Sequence, residues 1–280
     1  MKTIKSGCLT AAVKKLFLDA NFHLGADVYN KMAQSLENET SELAREAITI
    51  CLKNADLAGQ NNTPLCQDTG TAVIFIEIGQ EVYIDGNIED ALQKGVREAY
   101  RDGCLRKSIV SEPVFERKNT DDNTPAVIHY QIMPGTDIKI TAAPKGGGAE
   151  NMSKIFMLLP SAGREGIVKC VRSTIMEAGG NPCPPLIIGL GIGGNFETAP
   201  LLAKKALLRE IGTRNRDMRY ARLEIDLEDI LNNTNIGPQG FGGKTTVLAV
   251  HVEFSSCHIA SLPVAINIQC HSARHKSILL

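Results

Sequence analysis

The sequence has no tryptophan, and aromatic residues make up only 5% of its 280 residues. Proteins that bind single-stranded RNA commonly stack its bases on aromatic side chains. This scarcity therefore counts against a base-stacking surface. The composition is instead typical of a compact enzyme core that is built from isoleucine, valine, leucine and alanine.

Charge of one sign is also lacking, because the formal net charge is −1 and lysine and arginine are spread along the chain. Without a basic patch, we expect neither a nucleic acid nor an anionic membrane surface as a partner. No apolar run approaches the roughly 20 residues that span a bilayer, and residues 1–8 lack the apolar centre of a signal peptide. We therefore expect a soluble cytoplasmic protein.

The eight cysteines include no Cys-x-x-Cys pair. This absence argues against a zinc ribbon, a ferredoxin-type cluster motif and a thioredoxin-type redox site. A chain of 280 residues can bury a large core without disulfides, so we expect a reducing compartment. Any metal site made of cysteines would have to draw its ligands from distant segments.

Helical periodicity dominates the first 60 residues, where apolar side chains recur at helical spacing in three pieces between residues 9 and 59. The segment from Asn38 to Ser41 interrupts this pattern. Strands and helices then alternate without an internal repeat. We therefore predict an α+β fold of irregular mixed α/β type, in one catalytic domain over 1–280 with a helical scaffold at 1–60 and a sheet-containing core at 61–280.

Apolar runs and turn residues predict the elements of that core. The predicted strands are 71–78, 82–84, 126–132, 137–142, 186–194, 245–252 and 263–270, and the predicted helices are 88–103, 163–178, 197–210 and 217–231. Asp85-Gly86 is a hairpin signal after the second strand. Pro134-Gly135 joins the third and fourth strands, which we expect to be antiparallel neighbours.

A loop at residues 61–70 carries a thiol, an amide and a carboxylate in succession, at Cys66, Gln67 and Asp68. Polar residues and Pro64 disfavour a helix before it, and the β-branched run after it predicts a buried strand. The three side chains are thereby held at the entrance to a strand. The pattern by itself also fits an ordinary loop with a buried cysteine and an aspartate-stabilised turn.

Three consecutive glycines follow Lys145 in the segment 143–151. Glycine lets backbone N–H groups converge on an anion, so a cradle for a phosphate or a carboxylate is one interpretation. A flexible linker is the other. A strand and a helix flank the segment closely, but the sequence leaves both interpretations open.

Gly189, Gly191 and Gly194 have the spacing of a dinucleotide-binding fingerprint at the end of a predicted strand. A nucleotide-binding enzyme is therefore a rival hypothesis. The acidic residue of the fingerprint should close a second parallel strand, whereas Glu210 ends a predicted helix. The alternatives are tight packing of the strand against a helix and a substrate anion at the helix start.

Three of the eight cysteines share a context, because Cys66, Cys183 and Cys270 each stand where an apolar strand meets proline, glutamine or polar loop residues. Three such thiolates can hold a [4Fe–4S] cluster and leave its fourth iron open to a carboxylate and a hydroxyl of a substrate. The other five cysteines have ordinary explanations in helices, a terminal segment or a loop. Three scattered cysteines are easily found among eight, so their spacing alone leaves the cluster hypothesis undecided.

Five motifs together resemble the iron–sulfur hydro-lyases of the class I fumarase and L-tartrate dehydratase group. They are Pro64-Leu65-Cys66-Gln67-Asp68-Thr69-Gly70, Asn181-Pro182-Cys183-Pro184-Pro185, Gly191-Ile192-Gly193-Gly194, Asn235-Ile236-Gly237-Pro238-Gln239-Gly240, and the segment from His258 to Ala265 with Gln269-Cys270. The resemblance covers essentially the whole chain and corresponds to the cluster-bearing alpha subunit of the two-subunit enzymes. It implies a separate beta subunit that completes the active site in a higher hetero-oligomer.

The resemblance also implies roles for individual residues near the cluster. Cys66, Cys183 and Cys270 match the three ligands of a [4Fe–4S] cluster. Gln67 and Asp68 match residues that touch the substrate beside it.

Further substrate contacts are implied in the same way. Arg106 resembles the arginine that pairs with a substrate carboxylate, a task that suits a planar guanidinium. Lys145, Gly147 and Gly148 lie in the loop that matches a backbone contact to the other carboxylate, and His258 matches an active-site histidine. From the residues alone, Arg106 would be a solvated side chain at a helix end and His258 an ordinary loop histidine.

The reaction implied by the resemblance is the reversible hydration of fumarate, a small dicarboxylate, to L-malate, with Gln67, Asp68 and His258 as predicted catalytic residues. The alternative is the alpha subunit of an L-tartrate dehydratase, which converts tartrate to oxaloacetate. An iron–sulfur electron carrier, a dinucleotide-binding enzyme and a purely structural subunit are further alternatives. The fumarate reaction is preferred because the segments 143–152 and 258–265 are more similar to those of fumarase alpha subunits.

Overall fold

The computed structural model of the protein describes residues 2–280. The helices are α1 (Ser6–Phe22), α2 (Ala26–Asn38), α3 (Glu42–Asn61), α4 (Ile88–Asp102), α5 (Gly147–Glu150), α6 (Gly163–Ala178), α7 (Thr198–Ala206) and α8 (Met218–Asn232). The strands are β1 (Lys2–Lys5), β2 (Thr71–Gly79), β3 (Val82–Asp85), β4 (Val127–Met133), β5 (Ile138–Lys145), β6 (Lys154–Leu158), β7 (Leu186–Gly194), β8 (Val247–Cys257), β9 (Leu262–Gln269) and β10 (Lys276–Leu279). These elements confirm the α+β class.

The described residues form two compact units. The first unit comprises residues 2–24, 55–147 and 274–280, and the second comprises residues 25–54 and 148–273. The three helical pieces predicted between residues 9 and 59 are confirmed as α1, α2 and α3. The single catalytic domain over 1–280, with its helical scaffold at 1–60, stays a prediction.

The first unit is built on a four-stranded sheet in the order β10-β5-β2-β4. β2 is a central strand in which residues 72–76 are all buried. Apolar residues of α1 and α4 share one core with this sheet, and they include Phe17 and Tyr100, whose ring centroids lie 6.2 Å apart. The start of β2, which the loop 61–70 precedes, therefore lies in this core through Ala72.

Strands β4 and β5 are not neighbours, which corrects the prediction of an antiparallel pair joined at Pro134-Gly135. β2 lies between them, parallel to β4 and antiparallel to β5. Burial explains this order, because β2 has consecutive buried residues and suits the centre of a sheet, whereas β4 is largely exposed and suits an edge. A turn signal between two strands contains no information about a third strand that separates them.

Asp85-Gly86 does not close a hairpin, which corrects that prediction, whereas the helix predicted at 88–103 is confirmed as α4. β3 pairs in parallel with β1, and the turn leads into α4, where Asn87 Oδ1 accepts the Asp90 N–H at 3.2 Å. Strands β1, β6 and β10 are missing from the sequence prediction. Each is only four or five residues long, which is too short for a clear alternation of apolar and polar residues.

The second unit contains a four-stranded sheet in the order β6-β9-β7-β8. β7 is parallel to β8 and antiparallel to β9, and apolar residues of α6 and α8 share a core with this sheet. Two elements of this unit end four or more residues away from their predicted ends. β8 extends to Cys257, beyond residue 252, and α7 ends at Ala206, before residue 210.

The glycines of the fingerprint-like segment allow α7 to lie directly on β7. A Cβ atom at Gly189 would lie 2.1 Å from the carbonyl oxygen of Ala203. A Cβ atom at Gly191 would lie 2.0 Å from the carbonyl oxygen of Ala199. Asn195 Oδ1 accepts two backbone N–H groups at the start of α7, at 3.0 and 2.8 Å. Strand–helix packing therefore accounts for these glycines, and a side chain already satisfies the helix start.

Among residues 2–280, no helix combines the length and the apolar character that are needed to cross a membrane.

Candidate active site

The loop that carries Cys66, Gln67 and Asp68 belongs to the first unit and leads into β2. Leu65 anchors its start, because its side chain is buried and its N–H donates to the Asn21 carbonyl oxygen at 2.8 Å. Cys66 is half-buried, and its Sγ lies 3.6 Å from Gln67 Oε1. A thiol, an amide and a carboxylate therefore lie side by side at the entrance to a strand.

Backbone donors fix the carboxylate of Asp68. Oδ1 accepts the Gly70 N–H at 3.0 Å, and Oδ2 accepts the Gly147 N–H at 2.7 Å. The main chain is held as well, because Arg274 Nη2 donates to the Asp68 carbonyl oxygen at 2.8 Å while Nη1 donates to Asn21 Oδ1 at 3.0 Å. The carboxylate thus has one orientation, and its remaining lone pairs can accept further hydrogen bonds.

Buried polar side chains hold the end of the same loop. Tyr100 Oη lies 2.8 Å from the Thr69 carbonyl oxygen and 2.9 Å from that of Gly70. Burial raises the pKa of Tyr100, so its hydroxyl remains a donor at neutral pH. Asn123 Nδ2 donates to the Gly70 carbonyl oxygen at 3.1 Å. Gly70 itself has a φ of +77° and lies so close to Lys145 that a Cβ atom would clash with its backbone at 2.7 Å.

Arg106 joins this loop through its backbone, since its carbonyl oxygen accepts Thr69 Oγ1 at 2.7 Å. Its side chain is exposed, so a carboxylate can reach the guanidinium. In the glycine loop, Lys145 is buried, whereas Gly147 and Gly148 are exposed. Because the Gly147 N–H donates to Asp68, this glycine supports the carboxylate in the structure described.

Two of the predicted cluster ligands, Cys183 and Cys270, lie in the second unit. Cys183 precedes β7 and Cys270 follows β9, and these strands are paired with Ile187 opposite Gln269. Burial, together with the neighbouring Cys183 and Cys270 thiols, raises the pKa of Cys51 to about 11. The fold therefore brings these two thiols to the same end of a sheet, with Cys51 close by.

Cys66 belongs to the first unit, so its grouping with Cys183 and Cys270 stays a prediction. Within the described residues 2–280, no three His, Cys, Asp or Glu side chains converge on a point that one metal ion could occupy. A four-iron cluster makes a different demand, because each ligating thiolate binds its own iron atom. The donor set fits that demand in its chemistry, since all three residues are cysteines outside any disulfide, are at least partly accessible and border strands.

His258 lies in the turn between β8 and β9 of the second unit. Its Nδ1 accepts the Ala260 N–H at 3.1 Å, so the neutral ring carries its proton on Nε2. The exposed ring borders a cavity of about 470 Å³, whose lining includes Ile192, Tyr220 and Leu262. This arrangement leaves Nε2 as a donor at the rim of a largely apolar cavity.

Sequence reasoning missed Arg274, Tyr100 and Cys51, each of which lies beside a predicted site residue. Arg274 and Asp68 are 206 positions apart, and no local pattern links them. Tyr100 and Cys51 stand within helical patterns, which already give an ordinary explanation for each. The one local signal was Gly70 at the end of the loop. Glycine is favoured where another backbone segment approaches closely, as Lys145 does here.

Known proteins resemble the chain over nearly its whole length. The family model described as fumarate hydratase (fumerase) matches residues 10–279. A Methanocaldococcus jannaschii protein provisionally named L(+)-tartrate dehydratase subunit alpha is 40% identical over 271 residues, which cover 95% of each chain. The L(+)-tartrate dehydratase subunit alpha of Escherichia coli O157:H7 is 35% identical over 258 residues, which cover 91% of this chain and 84% of the relative. The subunit of the same name from Escherichia coli K12 is 34% identical, with the same coverage.

Proposed function

The chain belongs to the fumarate hydratase (fumerase) family of hydro-lyases, and we propose that it is the alpha subunit of an L-tartrate dehydratase, which removes water from tartrate to give oxaloacetate. The observation that carries the choice of substrate is the name shared by the relatives at 34% to 40% identity, each matched over at least 90% of this chain. The word subunit in those names supports a partner beta subunit.

Hydration of fumarate to L-malate is the second candidate, and the name of the matching family favours it. It is also the reaction predicted first from the sequence, but the names of the relatives support the tartrate alternative better. The two reactions make the same chemical demands. In each, a C–O bond breaks or forms next to a carboxylate, and a proton leaves or joins the adjacent carbon.

We propose that Cys66, Cys183 and Cys270 hold a [4Fe–4S] cluster, which is the cofactor that the sequence resemblance implies. Three thiolates leave one iron open, and when bound this iron supplies a Lewis acid that polarises the C–O bond of the substrate. The support in this chain is the convergence of two of the thiols at one end of the β7–β9 sheet and the partial accessibility of the third, Cys66, which forms no disulfide.

The polar residues of the first unit bind and orient the substrate in this proposal. Arg106 presents an exposed guanidinium that can hold one carboxylate with two parallel hydrogen bonds. Asp68 keeps lone pairs for a substrate hydroxyl, and its fixed orientation means that no reorganisation is needed when the substrate arrives. Gln67 adds an exposed amide next to it.

We propose supporting roles in the same reaction for three further residues, Lys145, Gly148 and His258. Lys145 is buried directly before the three glycines, and its positive charge is proposed to stabilise the negative charge that develops as the carbon loses its proton. Gly148 is exposed in the glycine loop and can approach the second carboxylate closely. His258 Nε2 is proposed to donate a proton or a hydrogen bond to the substrate.

The test uses the complex with the beta subunit, purified without oxygen. We expect dehydration of L-tartrate with a kcat/KM well above that for fumarate or L-malate, and about four irons per alpha chain. Arg106→Lys should lower kcat/KM by about 10- to 100-fold, because an ammonium cannot make the two parallel hydrogen bonds. A higher kcat/KM for fumarate would replace the first candidate with the second.

Cysteine variants test the cluster separately from the substrate. Cys183→Ser should reduce the iron content after anaerobic reconstitution, because serine does not supply a thiolate. Cys8→Ser is the matched control, since Cys8 is exposed in α1 and has no predicted role. Equal iron content in the two variants would contradict the proposed ligand set.

A further inference from the structure

The backbone of Cys183 has a conformation that is unusual for a residue with a side chain. Its φ is +56°, in the left-handed region that favours glycine. Such strain persists only where the surrounding structure holds the residue in place. Cys183 lies in an irregular segment between α6 and β7, so regular secondary structure does not supply that restraint.

The restraint on the Cys183 backbone comes from two residues in distant parts of the second unit, Gln239 and His271. The Pro184 carbonyl oxygen accepts two hydrogen bonds from Gln239, one from its backbone N–H at 2.7 Å and one from Nε2 at 2.8 Å. The Cys183 carbonyl oxygen lies 3.4 Å from the backbone nitrogen of His271 and 3.0 Å from its Nδ1. Both carbonyl groups around the Cys183-Pro184 bond are therefore held by pairs of donors.

The number of hydrogens on Gln239 Nε2 and His271 Nδ1 determines which of their other close contacts can be hydrogen bonds. When His271 Nδ1 carries a proton and donates it to Cys183, it has no lone pair for Gln239 Nε2, which lies 3.1 Å away. Gln239 Nε2 has two hydrogens, and one goes to Pro184. The second then points to Cys51 Sγ at 3.9 Å. In this arrangement every donor hydrogen of the amide has an acceptor.

We propose that Gln239 and His271 are positioning residues that clamp the Cys183-Pro184 backbone and thereby fix the direction of the Cys183 thiol. The inference rests on the proposed function, in which Cys183 is a cluster ligand. Gln239 is itself at a φ of +54° in the short Pro238–Gly240 turn, and His271 follows β9 directly after Cys270. The clamp thus connects the loops that carry two of the proposed ligands.

Partners that orient metal ligands affect how tightly a site holds its metal, and their removal typically weakens binding by about 10- to 100-fold. Gln239→Leu removes the amide donors at similar size. His271→Phe keeps an aromatic ring but removes Nδ1, whereas His271→Asn retains a side-chain donor near the Cys183 carbonyl oxygen. Gln34→Leu is the matched control, because Gln34 is an exposed glutamine of α2 in the same unit.

Two measurements report on the clamp without using catalytic activity. The first is amide hydrogen exchange of Cys183 in the cluster-free chain, measured on peptides that contain it. We expect about tenfold faster exchange in Gln239→Leu and His271→Phe, because the amide lies in the clamped segment and donates to the Gly180 carbonyl oxygen at 3.0 Å. The second is the rate of iron release to a chelator, which should rise by about 10- to 100-fold in both variants.

His271→Asn should recover most of the wild-type behaviour in both measurements, and Gln34→Leu should not differ from wild type. Unchanged Cys183 exchange, or unchanged iron release from variants that load iron, would overturn the proposal. If the wild-type chain takes up no iron, the proposed function fails, and the exchange measurement still decides whether the clamp exists. If Gln239→Leu does not fold, the comparison of His271→Phe with His271→Asn tests the proposal.

Discussion

Both carboxylate oxygens of Asp68 accept a backbone N–H, from Gly70 at 3.0 Å and from Gly147 at 2.7 Å. Asp68→Asn replaces one acceptor oxygen with an amide group that has no lone pair, so one of the two N–H groups loses its partner. We expect the free energy of unfolding to fall by about 1–3 kcal/mol. Urea denaturation of the cluster-free chain measures this change.

Asp137→Asn is the control for Asp68→Asn. Asp137 forms an exposed ion pair with Lys2 at 3.2 Å, and exposed pairs contribute about 0–1 kcal/mol. We therefore expect little change in that variant. An equally small effect at Asp68 would mean that its two hydrogen bonds do not hold the loop.

His251 makes the stability of the protein depend on pH. Its side chain is fully buried in β8, and burial, with the positive charges of Arg209 and Arg214, lowers its pKa from 6.5 to about 4. The unfolded chain therefore binds a proton between pH 6.5 and pH 4 that the folded protein does not bind. The stability is unaffected by this group above pH 6.5 and falls by about 3 kcal/mol as the pH is lowered to 4.

His251→Gln, which is uncharged at every pH, should remove that part of the pH dependence. The measurement is the free energy of unfolding in urea at several pH values between 4 and 7. His23→Gln is the control, because His23 is exposed. The same pH slope in wild type and His251→Gln would show that another group is responsible.

At the scale of elements, the contact between α7 and β7 depends on the absence of side chains at two positions. Gly191→Ala would place a Cβ atom 2.0 Å from the Ala199 carbonyl oxygen, which is backbone and cannot rotate away. The helix has to shift, and we expect a loss of about 1–3 kcal/mol of unfolding free energy, as in other overpacked cores. Thermal and urea unfolding measure it.

Gly7→Ala is the matched glycine control. No atom lies within 4 Å of a Cβ built at Gly7, and the residue is in α1, where alanine is the better helix former. We expect equal or higher stability. A harmless Gly191→Ala substitution would remove the packing explanation and return the nucleotide-binding interpretation of this segment to consideration.

The sequence of a strand predicts that the strand exists, but it does not predict its position in the sheet. Strand β2 is recognisable from its own apolar run, yet its position between β4 and β5 is not. Strand pairing depends on which apolar strands must be buried on both sides, and this is decided when the whole chain folds. The turn at Pro134-Gly135 therefore predicted a pair that the more buried β2 separates.

At the scale of the whole molecule, we expect the protein to fold without the proposed cluster. The cores around β2 and β7 consist of buried side chains other than cysteine, such as Ile74 and Ile188. Small metal domains that lack such cores unfold without their metal. We expect the far-ultraviolet circular dichroism of this chain to be unchanged when iron is removed under reducing conditions.

Added iron should raise the melting temperature only through the free energy of binding to the folded state. A variant with Cys66, Cys183 and Cys270 all replaced by serine is the control, since it should show the same spectrum with and without iron. A large loss of helical signal on iron removal from the wild-type chain would contradict this expectation.

The sequence by itself determined the features that depend on near neighbours along the chain. Apolar spacing, with glycine and proline as breaks, predicts α6, β2 and β7 close to their observed bounds and indicates three helical pieces where α1 to α3 lie. The chemical identities of Cys66, Gln67 and Asp68, and their place at a strand entrance, are likewise local. The motifs around them were sufficient to indicate the family.

Only the tertiary structure decided which distant groups support those residues. Arg274 reaches the backbone of Asp68 across 206 positions, and Gln239 reaches Pro184 across 55. Such hydrogen bonds are specified by the path of the whole chain, because a side chain's local sequence does not encode which backbone carbonyl lies within 3 Å of it in the folded state. The same reason explains why Cys51 has an ordinary place in a helical pattern and yet lies beside two proposed ligands.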